Sequence, residues 1–210
     1  MIKYGHACVR LEKSGRALVI DPGELTPESA ATDRVEAVLI THQHADHYSL
    51  DKLWDVPAIY TCPGVARVLD GVDGFRELAR DRVHVVRDGD TFDAAGFRMR
   101  VVGEKHHISH LDHPPVDNVG FLADDEVFHP GDALTRVDVP TLLLPGQAPW
   151  LTVPMMSAYL RGVDPQRAFA IHDGLLNEIG LEVLDDVLAM EAERAGREIR
   201  RPAVGETVEL

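Results

Sequence analysis

A short apolar segment that runs straight into a cluster of histidines constrains this chain most strongly. Residues 35–40 (VEAVLI) are followed at once by Thr41-His42-Gln43-His44-Ala45-Asp46-His47. An apolar run of this length, ended by polar residues, favours a buried strand. Residues two apart in an extended segment project to the same side, so His42 and His44 can contact one cation together. Asp46 and His47 follow where the chain is expected to turn, and imidazole and carboxylate groups suit zinc and related divalent ions.

Further ligand-type residues follow later apolar strands. His106 comes after a strand predicted at 98–102, Asp132 after one at 126–128, and His172 after one at 168–171. A lone histidine at a strand end is usually solvated or hydrogen-bonded. Three histidines and an aspartate within six residues are instead typical of a metal site, and successive strand ends can complete such a site on one edge of a scaffold.

The remaining pattern predicts many short strands with helices between them. Residues 7–12 and 17–20 form strands around a turn at Ser14-Gly15, and a strand at 205–210 closes the chain. Helices are predicted at 50–54, 65–69, 154–161 and 175–195, the last capped by Gly196. Other strands are predicted at 58–61, 83–86, 97–102, 119–122 and 141–144. Without repeats or linkers, these pieces indicate one domain over residues 1–210, with two sheets packed face to face and helices outside.

The segment His42-Gln43-His44-Ala45-Asp46-His47 resembles the HxHxDH signature of the metallo-β-lactamase superfamily. His106, Asp132 and His172 match the later ligand motifs of that family in order. Gly5-His6-Ala7, His129-Pro130-Gly131-Asp132 and Ala148-Pro149-Trp150 resemble the small bacterial metal-dependent hydrolases of this fold. The resemblance covers nearly the whole chain. It implies an α/β (α+β) fold, a four-layer αβ/βα sandwich with the metals at one edge.

The resemblance also implies roles for individual residues. It assigns one divalent ion to His42, His44 and His106, a second to Asp46, His47 and His172, and the bridging position to Asp132. Asp46 would fix the second metal and steer the attacking hydroxide, and Asp132 would set the metal spacing. Zinc is the expected metal, with manganese and iron as alternatives. The third motif can also be read at His107 or His110, and His106 is favoured because it follows its strand soonest.

Other residues are candidates for supporting or pocket positions. Asp21, after the strand at 17–20, matches the early aspartate of the family, which supports the ligands from behind. His129 is interpreted equally well as such a support or as a structural residue, and Trp150 as a pocket wall or as part of the core. His6 is interpreted either as a core histidine bonded to the backbone or as a pocket residue near the metals, and the resemblance favours the pocket. His110 is also expected at the pocket. His84 is expected to be structural, and His107 and His113 are expected to face solvent.

The implied chemistry is hydrolysis by a hydroxide held between the metals, which would attack an ester, lactone, thioester, amide or phosphoester of a small molecule. A small phosphodiesterase and a mono-iron sulfur dioxygenase are the alternatives. His44 stands where flavodiiron members of the superfamily have an acidic residue, which argues against that class. Only 39 residues separate Asp132 from His172, so the inserted domain of nucleic-acid-processing members is absent.

Composition narrows the partners. A net charge of −14 argues against binding polymeric nucleic acid. Cys8 and Cys62 form no metal-binding spacing and are expected to be reduced and packed as small apolar residues. The chain shows no leader and no apolar run near the ~20 residues of a membrane helix, so we expect a cytoplasmic protein without a membrane partner. β-Lactam hydrolysis, an activity of exported proteins, is not expected, and the sequence leaves a homodimer open.

Overall fold

The computed structural model describes residues 1–27, 31–79 and 81–210. Its first sheet contains six strands in chain order, of which the first three are antiparallel neighbours and the last four parallel. The strands are β1 (Ile2–Gly5), β2 (Cys8–Lys13), β3 (Arg16–Ile20), β4 (Ala37–Ile40), β5 (Ile59–Thr61) and β6 (Val83–Val85).

The second sheet contains seven strands in the order β13-β12-β11-β10-β9-β8-β7. Strands β7 to β10 pair antiparallel, and β10 to β13 pair parallel. The strands are β7 (Thr91–Ala94), β8 (Phe97–Val102), β9 (Gly120–Ala123), β10 (Val127–His129), β11 (Thr141–Pro145), β12 (Arg167–Ile171) and β13 (Glu198–Arg200).

Alternating side chains divide the core into layers, because successive residues of a strand face opposite sides of a sheet. In β11, Leu143 belongs to a cluster shared with the first sheet, whereas Leu142 and Leu144 pack with helices α3 (Val153–Val163) and α4 (Glu178–Ala195). Helices α1 (Pro63–Asp70) and α2 (Phe75–Ala79) pack with the strands of the first sheet. The predicted sandwich of two sheets flanked by helices is confirmed.

Most predicted strands are confirmed to within two residues, but the strand predicted at 205–210 is wrong. That tail lies against β1, where Val208 exchanges main-chain hydrogen bonds with Met1, yet it forms only an isolated bridge between Ile2 and Thr207. Gly205, at φ 83°, turns the chain there and prevents a regular ladder. The last strand of the chain is β13, at the edge of the second sheet.

The helices also differ in detail from the prediction. The last helix begins at Glu178 rather than 175, because the Asn177 side chain accepts a hydrogen bond from the Gly180 N–H and caps it. It ends as predicted at Gly196, which has φ 64°. Residues 50–52 form a 3₁₀ turn. The pattern did not predict β1, β7, β13 or α2, each of which has five residues or fewer.

Two further expectations concern the cysteines and membrane-spanning helices. Cys8 and Cys62 are both buried and free, as predicted. Among the described residues, no helix combines the length and the apolar character needed to cross a membrane.

Candidate metal centre

Eight polar side chains gather at the edge of the sandwich where several strands end. Asp21 directly follows β3, the histidine segment follows β4, and His172 directly follows β12. His106 and Asp132 come a few residues after β8 and β10. Since the carboxyl ends of parallel strands meet at one edge of a sheet, this placement follows from the topology.

The first group contains His42, His44 and His106, each with a ring nitrogen within 4.8 Å of those of the others. His42 Nε2 lies 3.0 Å from His44 Nδ1. The opposite nitrogens of two of these rings are already engaged: we assign His42 Nδ1–H as donor to Thr41 Oγ1 at 3.0 Å, and His106 Nδ1–H as donor to the carbonyl of His107. The Nε2 atoms of His42 and His106 therefore present lone pairs to the centre of the group.

The second group contains Asp46, His47 and His172, with His6 alongside. His47 Nε2 lies 3.1 Å from His172 Nε2. His47 Nδ1–H donates to Asp21 Oδ2 at 2.7 Å, and His172 Nδ1–H donates to the carbonyl of Gln147. In the neutral rings both Nε2 atoms are thus left as lone-pair donors that face each other.

Asp132 lies between the two groups. Its Oδ1 is 3.3 Å from His47 Nε2 and 3.1 Å from His172 Nε2, whereas its Oδ2 is 3.3 Å from His106 Nε2. One carboxylate oxygen therefore faces each group, which is the arrangement expected of a bridging ligand. Trp150 Nε1–H also donates to Oδ2 at 3.1 Å, so the indole contacts the candidate bridge directly.

The residues fit divalent ions on three counts. Asp132 Oδ1 and His106 Nε2 are buried atoms without a hydrogen-bond partner in the described parts of the chain, and an orphaned buried acceptor is costly. Ligand atoms about 2.0–2.1 Å from a tetrahedral zinc lie roughly 3.3 Å apart, close to the separations observed here. Imidazole and carboxylate together are the donor set that zinc, manganese and iron accept.

Asp21 holds the segment that carries the candidate ligands His42 to His47 in place. Its Oδ1 accepts a hydrogen bond from the Thr41 main-chain N–H at 2.8 Å, and its Oδ2 accepts from Thr41 Oγ1 and His47 Nδ1, both at 2.7 Å. Asp21 and His47 are both buried. The predicted supporting position of Asp21 thus has a geometric basis, because the carboxylate fixes both the orientation and the tautomer of His47.

His129 holds the turn that leads to Asp132. Its Nε2–H donates to the carbonyl of Ala7 at 2.9 Å, and its Nδ1 accepts from the Gly131 N–H at 3.1 Å. Both ring nitrogens are satisfied by main-chain groups, and the ring lies 3.8 Å from Asp21 Oδ2. Of the two interpretations of this residue, the geometry favours the structural one.

The titratable groups of the centre shift one another's pKa values. Burial alone would raise the pKa of Asp132, but His172 and His47 beside it hold that pKa well below its usual range. Burial likewise opposes protonation of His47, yet Asp132 and Asp21 raise its pKa well above the ordinary value. The pKa of His42, fully buried and next to His47, falls well below the usual value. The metal-free centre therefore holds an ionised aspartate and a proton on His47, which a bound cation would displace.

Two groups in this region were not singled out from the sequence. Asn118 accepts a hydrogen bond from the Asp132 main-chain N–H through Oδ1 and donates to the carbonyl of Pro130 through Nδ2, both at 3.0 Å. The Thr41 hydroxyl contacts His42 as well as Asp21. Neither residue follows a ligand spacing, so only the fold reveals them. Residue 131 must be a glycine for Asn118 to pack this closely, because a Cβ there would lie 2.4 Å from Asn118 Oδ1.

The remaining candidates lie as follows. The third-motif position in the cluster is filled by His106, whereas His110 is exposed and contacts His113, which also faces solvent. His107 is half-buried against the Trp150 ring, so the prediction that it faces solvent is only partly correct. Trp150 is half-buried at the centre rather than in the core. His84 stacks on Tyr60.

Comparison with known proteins places the chain in a family. Residues 1–170 match the model of the β-lactamase superfamily domain. The chain is 34% identical to Protein Rv0786c of Mycobacterium tuberculosis over 82% of its own length and 83% of that protein. It is 26% identical to the UPF0173 metal-dependent hydrolase MJ1163 of Methanocaldococcus jannaschii, over 99% of this chain and 98% of that one.

A solved structure with the same fold is CmlA, a diiron β-hydroxylase from Streptomyces venezuelae. It superposes with a TM-score of 0.74 at 18% identity and covers 99% of this chain and 53% of its own. An identity this low shows the fold alone. The family match over residues 1–170 shows that the chain belongs to the metallo-β-lactamase superfamily.

Proposed function

We propose that this protein is a metal-dependent hydrolase that holds two divalent ions and cleaves a small molecule at an ester, lactone, thioester, amide or phosphoester bond. One observation carries the proposal: the lone pairs of several imidazoles and both oxygens of Asp132 converge, while the opposite ring nitrogens of His42, His47, His106 and His172 donate to oxygen atoms. Without a cation, only the extra proton on His47 offsets the repulsion among these lone pairs. The printed name of the relative MJ1163, a metal-dependent hydrolase, supports the same assignment.

The residues divide into two ligand sets. His42, His44 and His106 would hold one ion, and Asp46, His47 and His172 the other, with Asp132 contributing one oxygen to each. Divalent ions bound there would lower the pKa of a water molecule toward neutrality, about 7 for a single zinc, and stabilise negative charge on the substrate.

The chain itself contributes orientation. Asp21 keeps the His47 proton on Nδ1, so that Nε2 stays available to a metal. Asp46 is the carboxylate nearest to solvent in the second set, with 28% of its side chain exposed. Burial would raise its pKa, but the hydrogen bond with His6 and the adjacent His47 and His172 hold it below the usual value. Asp46 is therefore ionised at neutral pH and can orient a water at the opening of the site.

Iron is a second metal to test, because CmlA is a diiron β-hydroxylase and the ligand types here also suit iron. Among the described residues, no contact in the site favours an oxidation over a hydrolysis. The proposal therefore remains with hydrolysis, and metal analysis should include iron.

The test combines metal content with activity. Metals per chain are measured in purified protein and after loading with zinc, manganese or iron. Hydrolysis is then assayed over a panel of phosphodiesters, lactones, thioesters and β-lactams. Wild type is compared with Asp46→Asn and Asp132→Asn, and Asp186→Asn, an exposed residue of α4, is the matched control.

We expect two metals per chain in wild type and in the control. We expect hydrolysis of a panel member that falls by at least about 100-fold in both site variants, since each loses a charged ligand. A wild-type chain that binds no metal, or an activity that survives both substitutions, would overturn the proposal.

A further inference from the structure

His6 lies in a strained turn that is tied to the second ligand set. It follows β1 with φ 46°, a left-handed conformation that is uncommon for a residue other than glycine. Its carbonyl accepts a hydrogen bond from the His172 main-chain N–H at 2.7 Å, and its side chain is completely buried. The turn between β1 and β2 is thus fastened to the segment that carries a candidate ligand, which holds the His6 ring in one place.

The hydrogen bonds of the ring define its tautomer. The main-chain N–H of Gly174 donates to His6 Nδ1 at 3.0 Å. A nitrogen that accepts a hydrogen bond cannot carry the ring proton of a neutral imidazole, so the proton belongs on Nε2. His6 Nε2 lies 3.1 Å from Asp46 Oδ2, and Nε2–H therefore donates to that carboxylate.

This tautomer is the reverse of the one found in the ligand histidines. As neutral rings, His47, His106 and His172 each donate through Nδ1–H to an oxygen and keep a lone pair on Nε2 for a metal. His6 receives a donor at Nδ1 instead. Its Nε2 is close enough to Asp46, His47 and His172 to count as a ligand by distance, but it has no lone pair to give to a metal.

We propose that His6 is a positioning residue rather than a metal ligand: its Nε2–H, fixed by the Gly174 N–H behind it, orients the Asp46 carboxylate toward the second metal. The proposal rests on the proposed two-metal function. Asp46 sits in a loop after β4 with its side chain partly exposed, and a hydrogen bond to one oxygen limits the rotation of the carboxylate. Such partners of ligating carboxylates typically change metal affinity or activity by 10–100-fold.

The decisive measurement reads the ring nitrogens directly. Protein labelled with ¹⁵N is examined by NMR in the metal-free form and after loading with ¹¹³Cd, whose nuclear spin couples to nitrogen atoms bound to it. The His6 signals are identified by their loss in His6→Gln. We expect an Nε2–H tautomer for His6 and no cadmium coupling, with coupling for His42, His44, His47, His106 and His172.

Two variants test the consequence. His6→Gln keeps an N–H donor at about the reach of Nε2, whereas His6→Leu removes the donor, and His113→Gln is an exposed histidine control outside both ligand sets. With saturating metal, we expect His6→Leu to hold two ions but to bind the second 10–100-fold more weakly. His6→Gln should recover most of that loss. Thermal unfolding of each metal-free variant checks that it folds, and the wild-type NMR result stands even if His6→Leu does not.

The outcomes separate the two proposals. Cadmium coupling at His6, an Nδ1–H tautomer, or wild-type affinity for both ions in His6→Leu would overturn the role of His6. A wild-type chain that binds neither cadmium nor zinc would overturn the proposed function instead. The metal-free tautomer measurement would still decide whether the His6 hydrogen bond exists.

Discussion

Replacing Asp21 by asparagine should weaken the second metal site without touching a candidate ligand. Asp21 accepts three buried hydrogen bonds, two from Thr41 and one from His47 Nδ1–H. An asparagine has one oxygen and one N–H₂ group, so it cannot accept all three. If the N–H₂ faces the Thr41 main-chain N–H, two buried donors oppose each other. If it faces His47, that ring must move its proton to Nε2, the atom required for the metal.

The magnitude follows from these alternatives. One buried polar group left unpaired costs about 1–3 kcal/mol, which is the expected loss in the free energy of unfolding of the metal-free protein. Loss of the partner that fixes a ligand histidine typically costs 10–100-fold in metal affinity. We therefore expect Asp21→Asn to bind one ion as wild type does and the second 10–100-fold more weakly.

Competition with a chromophoric chelator measures both dissociation constants, and urea unfolding of the metal-free protein measures the stability. Asp186→Asn, exposed on α4, controls for the loss of one negative charge. If Asp21→Asn bound both metals with wild-type affinity and kept wild-type stability, the argument that Asp21 fixes the His47 tautomer would be wrong.

Other predictions concern stability. The hydrogen bonds from Arg161 hold the pKa of Glu191 at about 2, so the stability from this group is present above pH ~4.5 and is lost as the pH falls toward 2. Glu191→Gln should therefore lower the free energy of unfolding by about 1–2 kcal/mol at neutral pH, and by less at pH 3, as measured by urea unfolding. An equal loss at both pH values would contradict this prediction. Lys3→Met should lower the free energy of unfolding by about 3 kcal/mol, because Lys3 is fully buried and its loss leaves Asp173 without its closest partner. Lys13→Met removes an exposed ion pair and should lower it by less than about 1 kcal/mol. Similar losses in the two variants would contradict this reasoning. Removing bound metal with a chelator should lower the unfolding temperature measured by calorimetry by roughly 10 °C. The reason is that an ion at about 1,000 times its dissociation constant stabilises the folded protein by about 4 kcal/mol. An unchanged temperature would show that the metals do not bind the folded site.

The sequence predicted the strand ends more reliably than the contacts behind them. The histidine segment after residues 35–40, and His106, Asp132 and His172 after later strands, were found because each lies just beyond an apolar run. The fold brings all of them to one edge. Their roles as metal ligands stay a prediction, since only geometry and donor chemistry support them so far.

The groups that orient these side chains could not be read from spacing. Asn118 reaches Asp132 across the sheet edge, and the Gly174 N–H reaches His6 from 168 residues away. Such contacts depend on how the two sheets are placed, and no local pattern encodes them. The short elements β1 and α2 escaped prediction for a related reason, because their burial is decided by long-range packing rather than by periodicity.

The most direct test of the account is the anomalous diffraction of crystals loaded with zinc. We expect two anomalous peaks roughly 3.5–4 Å apart. One should lie among His42, His44 and His106, the other among Asp46, His47 and His172, with one Asp132 oxygen directed to each. A single peak, or a peak outside these two groups, would contradict the two-metal centre.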